Sequence, residues 1–199
     1  MTRIISGSAR GRRLAVPPGS STRPTSDRAR EALFSTIESL IRSFAGARVL
    51  DLYAGSGAVG LEALSRGADH VLLVESDPAA ARTIRDNATK TGLAGAEVRA
   101  EPVERLLAGG APASPYDVVF LDPPYEVADD AVGVVVSALL DGGWLAERAL
   151  VVVERATRGG EWQWPAGFEG DRSRRYGEAT LWYGRAAPQP PGANPTSER

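Results

Sequence analysis

Apolar runs of strand length recur along the chain at residues 48–53, 71–74, 97–100, 116–121 and 150–154. The segments between them carry helical marks. Leu33, Phe34, Ile37, Leu40, Ile41 and Phe44 recur at helical spacing on one face, a stripe suited to core packing. Thr25, Ser26 or Asp27 can cap that helix. Asp77 caps the next clear one, Pro78 takes its first position and Gly92 closes it. Residues 61–66 continue helically from a glycine turn, and 127–140 read as a helix despite Gly133 and several valines. Residues 172–176 and 179–183 form a hairpin around Gly177. Strands alternating with helices predict an α/β chain with a mostly parallel sheet and helices on both faces. Ahead of it, residues 1–24 read as a small β-hairpin arm, ended by Pro17, Pro18, Gly19 and Ser20. The main domain runs over 25–185. From 186 to 199 the chain is Pro, Gly, Ser and Asn without periodicity, and a disordered tail is expected. Trp162 and Trp164 fall in a loop-rich stretch, and the pattern leaves lid and core both open.

Composition narrows this picture at a few points. At 199 residues and 43% hydrophobic, the chain supports one well-cored domain. No apolar run reaches membrane-span length and the N-terminus has no apolar signal region, so a cytoplasmic protein is expected. With no cysteine and one histidine, His70, no metal site is expected; His70 reads as a strand-edge residue. The net charge of −2 hides an asymmetry: residues 1–48 hold nine arginines against three acids, a net of +6, and the rest carries −8. A basic arm on an acidic body suits a polyanion. Arg10, Arg12 and Arg13 cluster at the arm's turn, where guanidinium forks match phosphate oxygens. Arginine bias weakens that signal, since Lys90 is the one lysine.

Two motifs carry chemistry. Gly55-x-Gly57-x-x-Gly60 follows the strand 48–53, and Glu75 stands 20 residues after Gly55 at the end of the next strand. A strand, a glycine turn and a helix start form a nucleotide-sized cleft, and the acid can take both hydroxyls of an adenosine ribose. NAD and S-adenosylmethionine (SAM) both bring that ribose. Asp51 can orient the glycine loop or accept from an ammonium group. Asp122-Pro123-Pro124-Tyr125 closes the strand 116–121. A carboxylate and a proline carbonyl can accept the two N–H bonds of an exocyclic amine and aim its lone pair, while Tyr125 offers a face for a stacked base. An oxidoreductase on NAD explains the glycines and Glu75 but leaves these four residues without a task.

With these residues the chain resembles the class I SAM-dependent methyltransferases of the amino-group type. More narrowly, it is similar to the bacterial small-subunit (16S) ribosomal RNA guanine-N2 methyltransferase family. The matching pieces are Arg3-Ile4-Ile5-Ser6-Gly7, Arg10-Gly11-Arg12, Arg23-Pro24-Thr25, Asp27-Arg28, Arg30-Glu31, Asp51-Leu52-Tyr53-Ala54-Gly55-Ser56-Gly57, Gly60-Leu61-Glu62-Ala63-Leu64-Ser65-Arg66-Gly67-Ala68 and Asp122-Pro123-Pro124-Tyr125. The resemblance implies a Rossmann-like seven-stranded sheet with one antiparallel strand, SAM as cofactor and 16S rRNA as partner, free or within a small-subunit particle. It places the cofactor on Asp51, Tyr53, Ala54, Gly55, Ser56, Gly57, Glu75, Ser76 and Glu101, with Glu101 at the adenine amino group. It places the RNA on Arg10, Arg12, Arg13, Arg23 and Arg28, with Arg30 also at the cleft entrance. A monomer is expected. An adenine-N6 methyltransferase of DNA or RNA would use the same four-residue site.

Overall fold

The computed structural model describes residues 2–17 and 27–188. The predicted caps Thr25 and Ser26, Arg23 and most of the expected tail lie outside these residues. The chain runs β1 (Thr2–Arg3), β2 (Arg13–Leu14), α1 (Asp27–Ile41), β3 (Arg48–Leu52), α2 (Ala58–Ser65), β4 (His70–Val74) and α3 (Pro78–Thr91). It continues through β5 (Ala96–Arg99), α4 (Val103–Ala108), β6 (Tyr116–Leu121), α5 (Asp129–Asp141), β7 (Leu145–Ala156), β8 (Phe168–Tyr176) and β9 (Ala179–Ala186). Seven strands form one sheet in the order β5-β4-β3-β6-β7-β9-β8. All run parallel except β9, which is antiparallel to both β7 and β8. The chain steps outward from β3 to β5, then returns to β6 on the other side of β3. That reversal opens a crevice at the carboxyl ends of β3 and β6.

The period-2 pleat sorts side chains onto two cores. Val49, Val118, Phe120, Leu150 and Val152 face α1, α2 and α3, where Leu33, Phe34, Ile37, Leu61 and Ile84 cover them. Leu50, Leu52, Val119, Leu121, Val151 and Val153 face α4 and α5, covered by Val103, Leu107, Val132, Val136 and Leu139. The same parity puts Asp51, Asp122 and Glu154 on the α1–α3 side and Arg155 on the α5 side.

Several boundaries differ from the sequence expectation. β7 starts earlier than 150–154 because Leu145 pairs with Tyr116 of β6 ahead of an irregular step, and it ends later because Arg155 and Ala156 pair with β9. Phe44 lies past the end of α1, where Arg42 takes φ 72, yet its ring still packs 5.5 Å from Phe34. Ala186 ends β9 rather than beginning the tail. Trp162 and Trp164 are core. Trp162 is 4% exposed, and Trp164 lies across Gly170 and Gly184, where an added Cβ would come within 2.9 and 2.6 Å of the ring.

The N-terminal segment is docked on the domain, not extended from it. β1 and β2 pair over two residues each, and Ile4, Ala9 and Leu14 enter the α1–α3 core. Glu62, fully buried on α2, accepts from the Ile5 N–H at 2.7 Å and the Ser6 N–H at 2.9 Å. Asn87 on α3 holds Ala15 through both its amide groups and donates to the Ser56 carbonyl at 3.0 Å. The segment thus touches the glycine turn through a single buried side chain.

Candidate active site

β3 ends at Leu52 and hands over to a tight turn with positive φ at Tyr53 (63), Gly55 (57) and Gly57 (77). The last two glycines of the motif serve packing: a Cβ on Gly60 would come 2.7 Å from Leu73, and one on Gly57 would come 3.0 Å from Ile84. Gly55 differs, because nothing lies within 4 Å of where its Cβ would be. Its open side is the cradle a ligand would fill. Glu75 frames that cradle. One of its carboxylate oxygens accepts from the Gly55 N–H and the other from the Asp77 N–H, both at 2.9 Å, which leaves a lone pair on each oxygen. Asp77 also caps α3, accepting from the Ala79 N–H.

Asp51 is 2% exposed and accepts from the Gly60 N–H at 2.8 Å. Burial pushes its carboxyl up to about 7; the charges of Asp122 and Glu75 add to this and the Gly60 bond opposes it. The helix start of α2 therefore already holds an acid of the protein itself. A dinucleotide pyrophosphate would need that same N-terminal place, and would meet Asp51, Glu75 and Asp122 around it. A cationic ligand with a ribose fits this donor set.

Asp122 follows β6, and the register Leu52↔Leu121 sets it beside the glycine turn. Pro123 is buried, Pro124 is exposed, and Tyr125 is 43% exposed with its ring at the rim. The Pro124 carbonyl accepts from the Val127 N–H at 3.0 Å. Among the described residues no donor is bonded to the Pro123 carbonyl. Burial raises Asp122 to about 6 against the opposing Arg155 cation. The register Leu121↔Val153 places Glu154 next to it on the same face. Glu154 is pushed up to about 8 by burial and by the Asp122 charge, opposed by a hydrogen bond with the Tyr125 hydroxyl.

Of the other expected cofactor residues, Tyr53, Ala54 and Ser56 form the half-buried turn, Ser76 is exposed beside Glu75, and Glu101 is half-buried with Arg105 at 3.6 Å. Tyr53 is hydrogen-bonded to Glu104; burial comes first among the causes that lift its hydroxyl to about 12. The arginines divide. Arg10, Arg13 and Arg28 are exposed. Arg12 is exposed as well, but its guanidinium is engaged, donating to the Lys90 and Thr91 carbonyls at the C-terminal end of α3. Arg30 does not face the cleft: it is 1% exposed and bonds the Arg3 carbonyl and Asp27. Its placement follows from the docked N-terminal segment, which closes over it. Sequence reasoning missed Glu154 and Arg155, although an acid and a base directly after an apolar run at a strand end are a visible signal. It had no means of finding Asn87, whose partners are 31 and 72 residues away. Among the described residues no group of His, Asp or Glu is placed to hold a metal ion, and no helix is long and apolar enough to cross a membrane.

The family described as conserved hypothetical protein 95 matches residues 2–185. The chain is 38% identical over 176 residues to ribosomal RNA small subunit methyltransferase D of Escherichia coli, covering 88% of this chain and 85% of that one. The Haemophilus influenzae protein of the same name is 38% identical over 156 residues, covering 76% and 77%. The solved structure of yhhF from Escherichia coli superposes with a TM-score of 0.80 at 36% identity, covering 94% of this chain and 98% of that one.

Proposed function

Because the chain belongs to that family, with the ribosomal RNA small subunit methyltransferase D proteins among its relatives, we propose that it methylates the exocyclic N2 amine of one guanine in 16S rRNA, using SAM. The observation that carries this reading is the position of Asp122 and the Pro123 carbonyl at the β6 end, beside an acid-lined glycine turn. SAM bound there supplies an electrophilic methyl group on a sulfonium. Glu75 has the free lone pairs to receive the ribose hydroxyls, and Glu101 would take the adenine amino group. Asp51 fixes the turn through Gly60 and adds negative character toward a cationic ligand. Asp122 and the Pro123 carbonyl accept the two N–H bonds of the base amine, so its lone pair points across the crevice. Tyr125 gives the base a face to stack on. Bound SAM would give its methyl group to the nitrogen lone pair, with the S–C pair left on sulfur, and Asp122 would take one amine proton and pass it to water. The exposed Arg10, Arg13 and Arg28 contact rRNA phosphates. NAD is disfavoured because its pyrophosphate would meet Asp51, which is already bonded to the Gly60 N–H in the first turn of α2.

Mass mapping of 16S rRNA from cells with and without the protein tests this directly. One N2-methylguanine is expected to vanish in the deletion and return with the wild-type chain. An unchanged map, or label on an adenine N6 with the purified protein, overturns the substrate.

A further inference from the structure

β7 delivers two charged side chains to the site that no motif announced. Arg155 is 7% exposed and crosses to the α5 side of the sheet. Its Nε donates to Asp129 at 2.6 Å and its Nη2 to the Val127 carbonyl at 2.5 Å. Both partners belong to the segment that continues from Asp122 into α5. Its third nitrogen, Nη1, is buried without a partner. Two bonds from two nitrogens of one planar fork fix both the distance and the direction of that segment, and a lysine, with a single nitrogen, cannot reproduce that pair of directions.

We propose that Arg155 is the positioning residue of this site: its guanidinium fork ties the segment that runs on from Asp122, through Val127 and Asp129, to the end of β7. This rests on the methyltransferase reading above. Asp122 must be ionised to accept from an amine. The groups around it are Asp51 from β3, Glu154 from β7 and Tyr125 from its own loop, with Tyr53 at the end of β3 and Glu178 of the β8–β9 turn acting on Tyr125. Arg155 is the cation among them, with Asp129 as its partner. Burial raises Asp122 and the guanidinium lowers it. Without the guanidinium, Asp122 stays protonated to a higher pH.

The test compares Arg155→Gln, Arg155→Lys and Asp129→Asn with the wild type by two readouts. The first is the ¹³C titration of Asp122 in the free protein, assigned with Asp122→Asn. The second is kcat against pH on small-subunit rRNA. In Arg155→Gln the carboxyl titration and the acid limb of kcat are expected to move up together by about one pH unit. At alkaline pH, where Asp122 is ionised in every variant, kcat falls about tenfold to a hundredfold while SAM affinity is unchanged. Arg155→Lys keeps the limb in place and shows only the kcat loss; Asp129→Asn does the same. If Arg155→Gln does not fold, the other two variants carry the test. An Asp122 titration that is unmoved in Arg155→Gln, or equally moved in Arg155→Lys, overturns the proposal. So does a full kcat in Asp129→Asn and Arg155→Lys. The titration needs no substrate, so a wild type that methylates no RNA overturns the functional reading while leaving the role of Arg155 separately decided.

Discussion

At the scale of single residues, the site and its support use the same few chemical devices at different depths. In the proposed reaction Asp122 accepts from an amine at the rim, so Asp122→Ala should lower methylation by about a hundredfold or more while SAM still binds. Isothermal titration with SAM beside a turnover assay checks this, and unchanged turnover refutes the role. Gly7 shows the opposite case, a residue with no part in chemistry and no tolerance for change. Its φ is 79, and an added Cβ would fall 1.7 Å from the Ser65 carbonyl oxygen. Gly7→Ala should therefore cost about 3 kcal/mol, read from the urea midpoint. A cost within about 0.5 kcal/mol, as at an open surface position, would mean the N-terminal segment is not docked as described.

At the scale of elements, the N-terminal segment is a clasp across α2 and α3. Glu62 takes two backbone N–H groups and pairs with Arg66, which also reaches Glu31 at 2.7 Å and lies over the Phe34 ring. Removing this buried acceptor leaves a buried cation short of a partner and two N–H groups unpaired, so Glu62→Ala should cost about 3 to 5 kcal/mol. Amide exchange at Ile5 and Ser6 should rise with it; protection there that survives the substitution contradicts the clasp. The arginines of the same segment separate two roles. Arg12→Ala removes a partner from the last carbonyls of α3 and should cost about 1 kcal/mol. Neutralising Arg10 and Arg13 together should leave stability unchanged, weaken rRNA binding and reduce its log-log salt slope by about two. A slope that does not change puts the RNA elsewhere on the surface.

At the scale of the whole molecule, three buried or half-buried carboxyls at one end of the sheet set the pH response. Asp51, Asp122 and Glu154 are all raised above their ordinary values, to about 7, 6 and 8. Between the ordinary and the raised value the folded chain binds more protons than the unfolded one. Stability therefore falls as pH rises through that window, from about pH 4 to about pH 8. Urea unfolding at about pH 5.5 and about pH 8 should show the lower midpoint at the alkaline end, with a smaller difference in Glu154→Gln. A midpoint that is flat or rises with pH would show that these groups are not buried in charge-poor surroundings. In the proposed reading the same acids would favour a cationic cofactor, so pH response and ligand choice would share one cause.

The sequence by itself determined the strands, the glycine turn and the four residues after β6. Each is written in local terms: apolar runs, glycines where φ is positive, a proline after an acid. It also showed the acid Glu75 at its fixed distance from Gly55, because a βαβ unit has a nearly constant length. Only the tertiary structure decided which arginines remain available. Arg12 and Arg30 look like Arg10 and Arg13 along the chain, and their fate depends on helix ends and carbonyls far away in sequence. It also decided that Glu154 stands beside Asp122 while Arg155 reaches the 127–129 segment, since strand order brings β6 and β7 together and pleat parity sends the two side chains to opposite faces. Local chemistry can be read from neighbouring letters; a charge's partner across the sheet is fixed by register, which exists only once the strands have paired.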